Sequence, residues 1–312
     1  MATTYSETPL NMSEIQPFIM TDISDIKKTF YTADRVIFYD ACSFQRHAGL
    51  TVEDRSEIIE YYNRHGAIIF ITRCILMELV SDKCRLAEAY IRFLKEMDDK
   101  GNRMVLFNEE YLKDILSDCY SGNETINKYL LWAVRMSKNP VSTIMKTLKT
   151  DTKLMSELIE GKNIRVSDLY DRFFSAVRNN KEHGDNLGEE LIAICIHILS
   201  RLPGIEDGKL CVITDDKGAA GKIDSIMKKT NLQYRGARTI LLSTPKLVQH
   251  IFQEHNDISE ETIFNILSQG VSGNVIVMGT TPYDLEVNKS ISMPTRELVY
   301  KIMKPNEINI VF

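Results

Sequence analysis

Acidic residues follow apolar runs at four places in this 312-residue chain. Asp40 closes VIFYD, and Glu78 lies within IIFITRCILMELVSD. Glu189 and Glu190 stand at the start of GEELIAICI, and Asp215 and Asp216 directly follow LCVIT. A carboxylate set against a hydrophobic core costs several kcal/mol unless something compensates it. One or two such residues are explained as helix caps or solvent-facing helix positions. Four of them, in an alternation of strands and helices, point to carboxylates that converge on a shared cation. Mg²⁺ and Mn²⁺ prefer oxygen ligands of this kind, and phosphodiester hydrolysis is the usual work of such a cluster.

The elements that must position these acids are legible as periodic runs. Continuous apolar stretches at 36–40, 67–71, 104–107, 210–214 and 239–243 read as buried strands, with 104–107 a third strand or an edge. Between 40 and 52 the chain reads as a loop. VEDRSEIIEYYNRHG follows as a helix, with Val52, Ile58, Ile59 and Tyr62 on one face and Gly66 at its end. One or two helices run from Ile75 to Gly101, and GEELIAICIHILSRL is a helix stopped at Pro203-Gly204. AAGKIDSIMKK reads as another, and Thr244-Pro245 opens KLVQHIFQEH. Apolar strands alternating with helices predict an α/β fold: a mainly parallel central sheet covered by helices on both faces, in three layers. Ligands of such sheets bind beyond the carboxyl ends of the strands. Asp40, Asp215 and Asp216 therefore share an edge if strands 36–40 and 210–214 are parallel neighbours.

Around that core the chain divides into a polar lead-in (1–35, with a short helix near 23–30), a main domain (36–256) and a C-terminal α/β extension (257–312). Residues 108–183 read as a helical insertion in the main domain, broken at Asn139-Pro140. The extension reads as helix, strand, loop, helix and terminal strand.

The chain is 44% hydrophobic and 26% charged, as expected of a globular protein. It has no apolar run of the roughly 18–20 residues that span a bilayer. The N-terminus lacks a basic-then-apolar signal pattern, and the expected location is the cytoplasm. Six scattered cysteines without a CxxC pair read as reduced core thiols, and no His/Cys spacing suits zinc. A net charge of −5 argues against general nucleic-acid affinity. Basic stretches nevertheless follow the last acidic pair (Lys217, Lys222, Lys228, Lys229) and occupy the insertion (Lys146, Lys149, Lys153, Lys162, Arg165). Solvated helix faces are the favoured reading of each.

In their order, the motifs resemble the PIN domain, a metal-dependent ribonuclease fold related to flap-nuclease cores. VIFYDACSF looks like that family's first strand, and ITRCILMELV like its turn and Glu-bearing helix. GEELIAICIHIL resembles its acid-headed, small-residue helix, and VITDDKGA its T-x-D element. TILLSTPKLVQHI looks like the last strand and closing helix. The likeness spans about 36–107 and 184–253. It implies Mg²⁺ or Mn²⁺ held by Asp40 and Asp216, with Glu78 and Glu189 completing a catalytic ring and Asp215 assisting. Glu190 or Asp185 fits the third acid as well as Glu189. RNA is the implied substrate, and toxin, processing or phage-defence roles are all compatible. The longer Glu78-to-Glu189 separation fits the insertion, and the extension has no counterpart in minimal members.

A second expectation is of another class: a catalytically inactive PIN-like scaffold that binds a protein partner through the insertion or the extension. A flap-type DNA nuclease is disfavoured by the lack of a helical arch or helix-hairpin-helix signature. The oligomeric state is left open. Among smaller signals, GAAGK lacks phosphate-loop spacing. Ser43 reads as a phosphate contact or a loop hydroxyl, and Thr214 as a supporting strand-end residue. Tyr129 and Trp132 read as helix packing before base stacking, and His197 as a core histidine.

Overall fold

The computed structural model describes residues 5–80, 83–137, 142–228, 236–287 and 289–312. Asn139, Pro140 and Lys229 lie outside the described residues. Six strands form one all-parallel sheet: β1 (Ile19–Met20), β2 (Arg35–Tyr39), β3 (Ala67–Thr72), β4 (Arg103–Phe107), β5 (Leu210–Ile213) and β6 (Ile240–Leu242), in the order β1-β4-β3-β2-β5-β6. The fold is the expected α/β one, a parallel sheet flanked by helices. The predicted runs at 36–40, 67–71, 104–107 and 210–214 are buried because helices cover both of their faces, whereas edge strand β6 is only partly so.

Topology decides where the site sits. From β2 the chain moves outward through β3 to β4, then returns to place β5 on the other side of β2, with Val36 opposite Leu210 and Tyr39 opposite Ile213. The seam between β2 and β5 is therefore the point where strand order reverses. The Asp40 amide donates to the Ile213 carbonyl at 2.9 Å, so the pairing runs right up to the first acid.

Three segments differ from expectation. Ala41–Ala48 is a helix, not a loop: Asp40 caps it, and Phe44, His47 and Ala48 turn inward. Its apolar face is only two turns long, too short for the periodicity to stand out. The lead-in supplies an unforeseen edge strand, β1, which buries Ile19, beside the expected helix, Ile23–Thr32, which buries Ile26 and Phe30. The loop expected in the extension contains a strand, Ser290–Pro294.

The helix predicted from GEELIAICIHILSRL spans Leu187–Leu199, is apolar around most of its circumference and is buried accordingly. It packs against helices Arg73–Leu79, Lys217–Lys228 and Asn123–Met136, the last from the insertion. Leu130, Tyr170, Phe173 and Phe174 of the insertion join the same hydrophobic core. The extension forms an antiparallel sheet, β7 (Asn274–Thr280) flanked by β8 (Ser290–Pro294) and β9 (Asn309–Ile310). The Gln249 side chain, on helix Thr244–Glu254, donates to the Ile308 carbonyl and accepts from the Ile310 amide, both at 2.9 Å. It thereby joins β9 to the main domain. No helix among the described residues is long and apolar enough to cross a membrane.

Candidate active site

Asp40 ends β2 and begins the next helix, and its side chain is held from three directions. Oδ1 accepts from the Ala41 amide at 2.9 Å, while Oδ2 accepts from the Cys42 thiol at 2.7 Å and the Thr214 hydroxyl at 3.0 Å. Thr214 also accepts from the Asp216 amide at 3.1 Å. One hydroxyl thus ties the acid after β2 to the acid after β5, the supporting role expected of Thr214. Burial raises the Asp40 carboxyl above the ordinary range; Cys42, Thr214 and Ala41 counter this, and Asp216 adds to it. Cys42 was not foreseen. It is exposed, and desolvation of its sulfur followed by the Asp40 charge pushes its thiol up to about 12, so it serves as a donor.

Asp215 and Asp216 have separate tasks. Asp216 Oδ1 accepts from the Gly218 and Ala219 amides at 2.6 and 3.1 Å, capping helix Lys217–Lys228. Its Oδ2 takes no hydrogen bond among the described residues. Asp215 turns inward, accepting from Arg46 at 3.1 Å and from the amide and hydroxyl of Thr244 at 2.7 and 2.6 Å. Burial works to raise its carboxyl, but Arg46, His47 and Thr244 outweigh burial and hold it below the usual range. Because Thr244 spends its proton on Asp215, it must accept from His47 Nε2, 2.9 Å away. His47 Nδ1 then accepts from Tyr39, and Tyr39 from Tyr62, each at 2.6 Å. Asp215 terminates a buried hydrogen-bond chain and belongs to the scaffold.

Glu78 lies on helix Arg73–Leu79 with Oε1 2.8 Å from Lys181, which also meets Asp185 at 2.7 Å. Its carboxylate rests on the start of helix Leu187–Leu199 because residue 188 is glycine: a Cβ there would stand 2.6 Å from Glu78 Oε1. Burial raises the Glu78 carboxyl, Lys181 lowers it, and Asp40 and Asp185 raise it further. Glu189 pairs with Lys222 at 3.0 Å; burial, then the charges of Asp216 and Asp40 against that of Lys222, bring it up to about 6. Glu190 faces the insertion instead, accepting from the Ile144 amide at 3.3 Å in the first turn of helix Thr143–Thr150. Asp185 is engaged by Lys181 and by the amides of Glu182 and Leu187.

The fold therefore gathers Asp40, Glu78, Glu189 and Asp216 at the β2–β5 seam and diverts Asp215 and Glu190 into structural contacts. Among the described residues, no three His, Cys, Asp or Glu side chains stand close enough to hold one ion. The donor chemistry nonetheless suits a hard divalent cation: Asp216 Oδ2, Glu189 Oε1 and Glu78 Oε2 have no hydrogen-bond partner among the described residues. Sequence reasoning missed Lys181 and Lys222 as partners of the acids, since no local pattern marks a lysine that reaches across the fold. Ser43 is fully buried, its hydroxyl 3.9 Å from the Cys42 sulfur. His197 is a core histidine, held near 3 by burial. Trp132 is 38% exposed and stands beside Tyr129. Of the insertion's basic residues, Lys146, Lys162 and Arg165 form exposed ion pairs with Glu182, Glu160 and Glu124.

Comparison with known protein families, with curated proteins and with solved structures found no match.

Proposed function

We propose that this protein is a PIN-like endoribonuclease dependent on Mg²⁺ or Mn²⁺, acting at the seam between β2 and β5. One observation carries the reading: four separate segments bring Asp40, Glu78, Glu189 and Asp216 to the reversal of strand order, and Asp40, Glu78 and Glu189 each feel the charge of another of the four. Asp40 and Asp216 would hold the ion, with Glu189 beside them and Glu78 at the margin. Bound there, Mg²⁺ or Mn²⁺ neutralises charge on the phosphoryl group and lowers the pKa of water. The chain's own residues do the positioning. Thr214 and Cys42 fix the plane of the Asp40 carboxylate, and the helix cap fixes Asp216. Lys222 and Lys181 restrain Glu189 and Glu78, keeping two of the four acids from repelling the rest.

A second reading, a non-catalytic scaffold for a protein partner, draws on those same lysines. Glu78 and Glu189 already have internal counter-ions, so their retention needs no metal. Calorimetric titration with Mn²⁺ and an RNA cleavage assay separate the two. Asp40→Asn keeps the side chain's shape and removes a ligand charge. It should cut Mn²⁺ affinity and Mn²⁺-dependent cleavage by roughly a hundredfold, with the metal-free melting temperature unchanged or higher. Intact cleavage and metal binding with a lowered melting temperature would make Asp40 a strand-end cap and end the nuclease reading.

A further inference from the structure

A cleft of about 630 Å³ opens beside the acids, between the helix that follows Asp40 and the antiparallel sheet of the extension. Its inner end begins at Cys42, Asp215 and Lys217, so any occupant abuts the seam. Lys217 makes no ion pair among the described residues, its Nζ donating to the Ser290 hydroxyl at 3.4 Å, whereas Arg46 and Asp215 neutralise each other. Arg46 also spends Nη2 on the carbonyls of Ile266 and Leu267, at 3.3 and 2.6 Å. Its Nε–H is buried and meets no acceptor among the described residues.

Farther out, the walls change character. Gln45 on the helix and Gln269 on the extension's side make no side-chain hydrogen bond among the described residues, and each carries both a donor and an acceptor. Gly49 leaves room for Gln269, whose Nε2 stands 2.6 Å from where a Cβ at 49 would be. Ile276 and Phe312 supply an apolar wall. A phosphate-sized charge near Lys217, amide pairs for a base edge and an apolar face for its ring together describe a nucleotide. The volume lies within the range of roughly 300–1,000 Å³ usual for small-molecule pockets.

We propose that this cleft binds one nucleotide of a single RNA strand next to the phosphate that meets the seam, with Gln45 and Gln269 on the base edge and Ile276 against its ring. The inference rests on the nuclease reading for its orientation, but not for its chemistry. A duplex keeps its base edges paired and its rings stacked, so single strands should be preferred.

The test is fluorescence anisotropy of a short labelled single-stranded RNA with the full chain in EDTA, so that binding is read without cleavage. Gln45→Ala with Gln269→Ala should weaken binding roughly tenfold. Ile276→Ser, at a site 53% exposed and outside the core, should do so without disturbing the fold. Unlabelled nucleoside monophosphate competing as well as the strand would overturn strand recognition in favour of a free-nucleotide site. No binding by the wild-type chain, or equal binding by all variants, overturns the cleft while leaving any Mn²⁺-dependent cleavage to stand. Binding that the variants lose, in a chain that cleaves nothing with Mn²⁺, sustains the cleft and removes the nuclease reading.

Discussion

The two sheets of this molecule are built on opposite rules. In the parallel sheet, helices bury both faces, and charged groups stand at the strand ends: Arg35 and Arg103 at the amino edge, the acids at the carboxyl edge. In the antiparallel sheet of the extension, β7 alternates: Val275 and Val277 are buried, while Ile276 between them is 53% exposed. Tyr283 and Leu285, in the connection to β8, are more exposed still. The central strands of the first sheet offer little but their ends to solvent, which confines the acids to one seam. The second spreads its side chains along a surface, which suits contact more than catalysis.

Single substitutions should magnify that contrast. Phe38→Ala in β2 empties a site with no exposure and rings from Phe70 and Phe107 around it. It should cost about 3–5 kcal/mol by urea denaturation. Ile276→Ala in β7 should stay within about 0.5 kcal/mol. A cost at Ile276 approaching that at Phe38 would mean that the outer face of β7 is a core surface and that the two sheets obey one rule.

A smaller effect tests how tightly the acids themselves are packed. Gly188→Ala drives a methyl toward Glu78 Oε1 and toward Ile75 Cδ1, 2.6 and 2.9 Å away. Overpacking of this kind costs about 1–3 kcal/mol. In a Glu78→Ala background the cost should drop by more than about 0.5 kcal/mol. An additive double variant would show that Glu78 swings freely.

The smallest effect is a dependence on pH. Burial above all pushes the Glu190 carboxyl from 4.5 up to about 7; the Ile144 amide and Lys222 oppose this, and Asp185 and Glu189 add to it. A folded state that binds this proton more tightly than the unfolded chain is at its best below pH 4.5 and loses stability as pH rises toward 7. Glu189, raised to about 6 mainly by burial, acts in the same direction. Glu190→Gln should therefore flatten the fall in urea midpoint between pH 4.5 and 7. An undiminished slope in the variant would assign it to other carboxyls.

The parallel core was legible because its central strands are unbroken apolar runs, two of them ending in acid, at Tyr39-Asp40 and Ile213-Thr214-Asp215. What escaped was whatever is short or depends on distant partners. Strand β1 has two residues, and SISMP in β8 is polar with a terminal proline. Of the paired acids after β5, the sequence offers no reason why one should cap a helix and its neighbour end a buried chain through Thr244, His47 and Tyr39. That division depends on Arg46, 169 residues away. Glu190, likewise, is claimed by a helix of the insertion whose place beside it no local pattern marks.

The Thr214 hydroxyl that ties the two acids together joins residues 174 apart in sequence. Closing so long a loop costs entropy that grows only as the logarithm of its length, about 0.6 kcal/mol for each doubling, yet all of it must be met before the contact forms. Strands β2, β3 and β4 can pair through local crossovers without β5, and in that partial sheet Asp40 has no Thr214 and no Asp216 beside it. Assembly of the acidic seam thus coincides with the longest-range strand pairing of the parallel sheet. During synthesis the nascent chain carries its acids apart until residue 216 has emerged and β5 has docked.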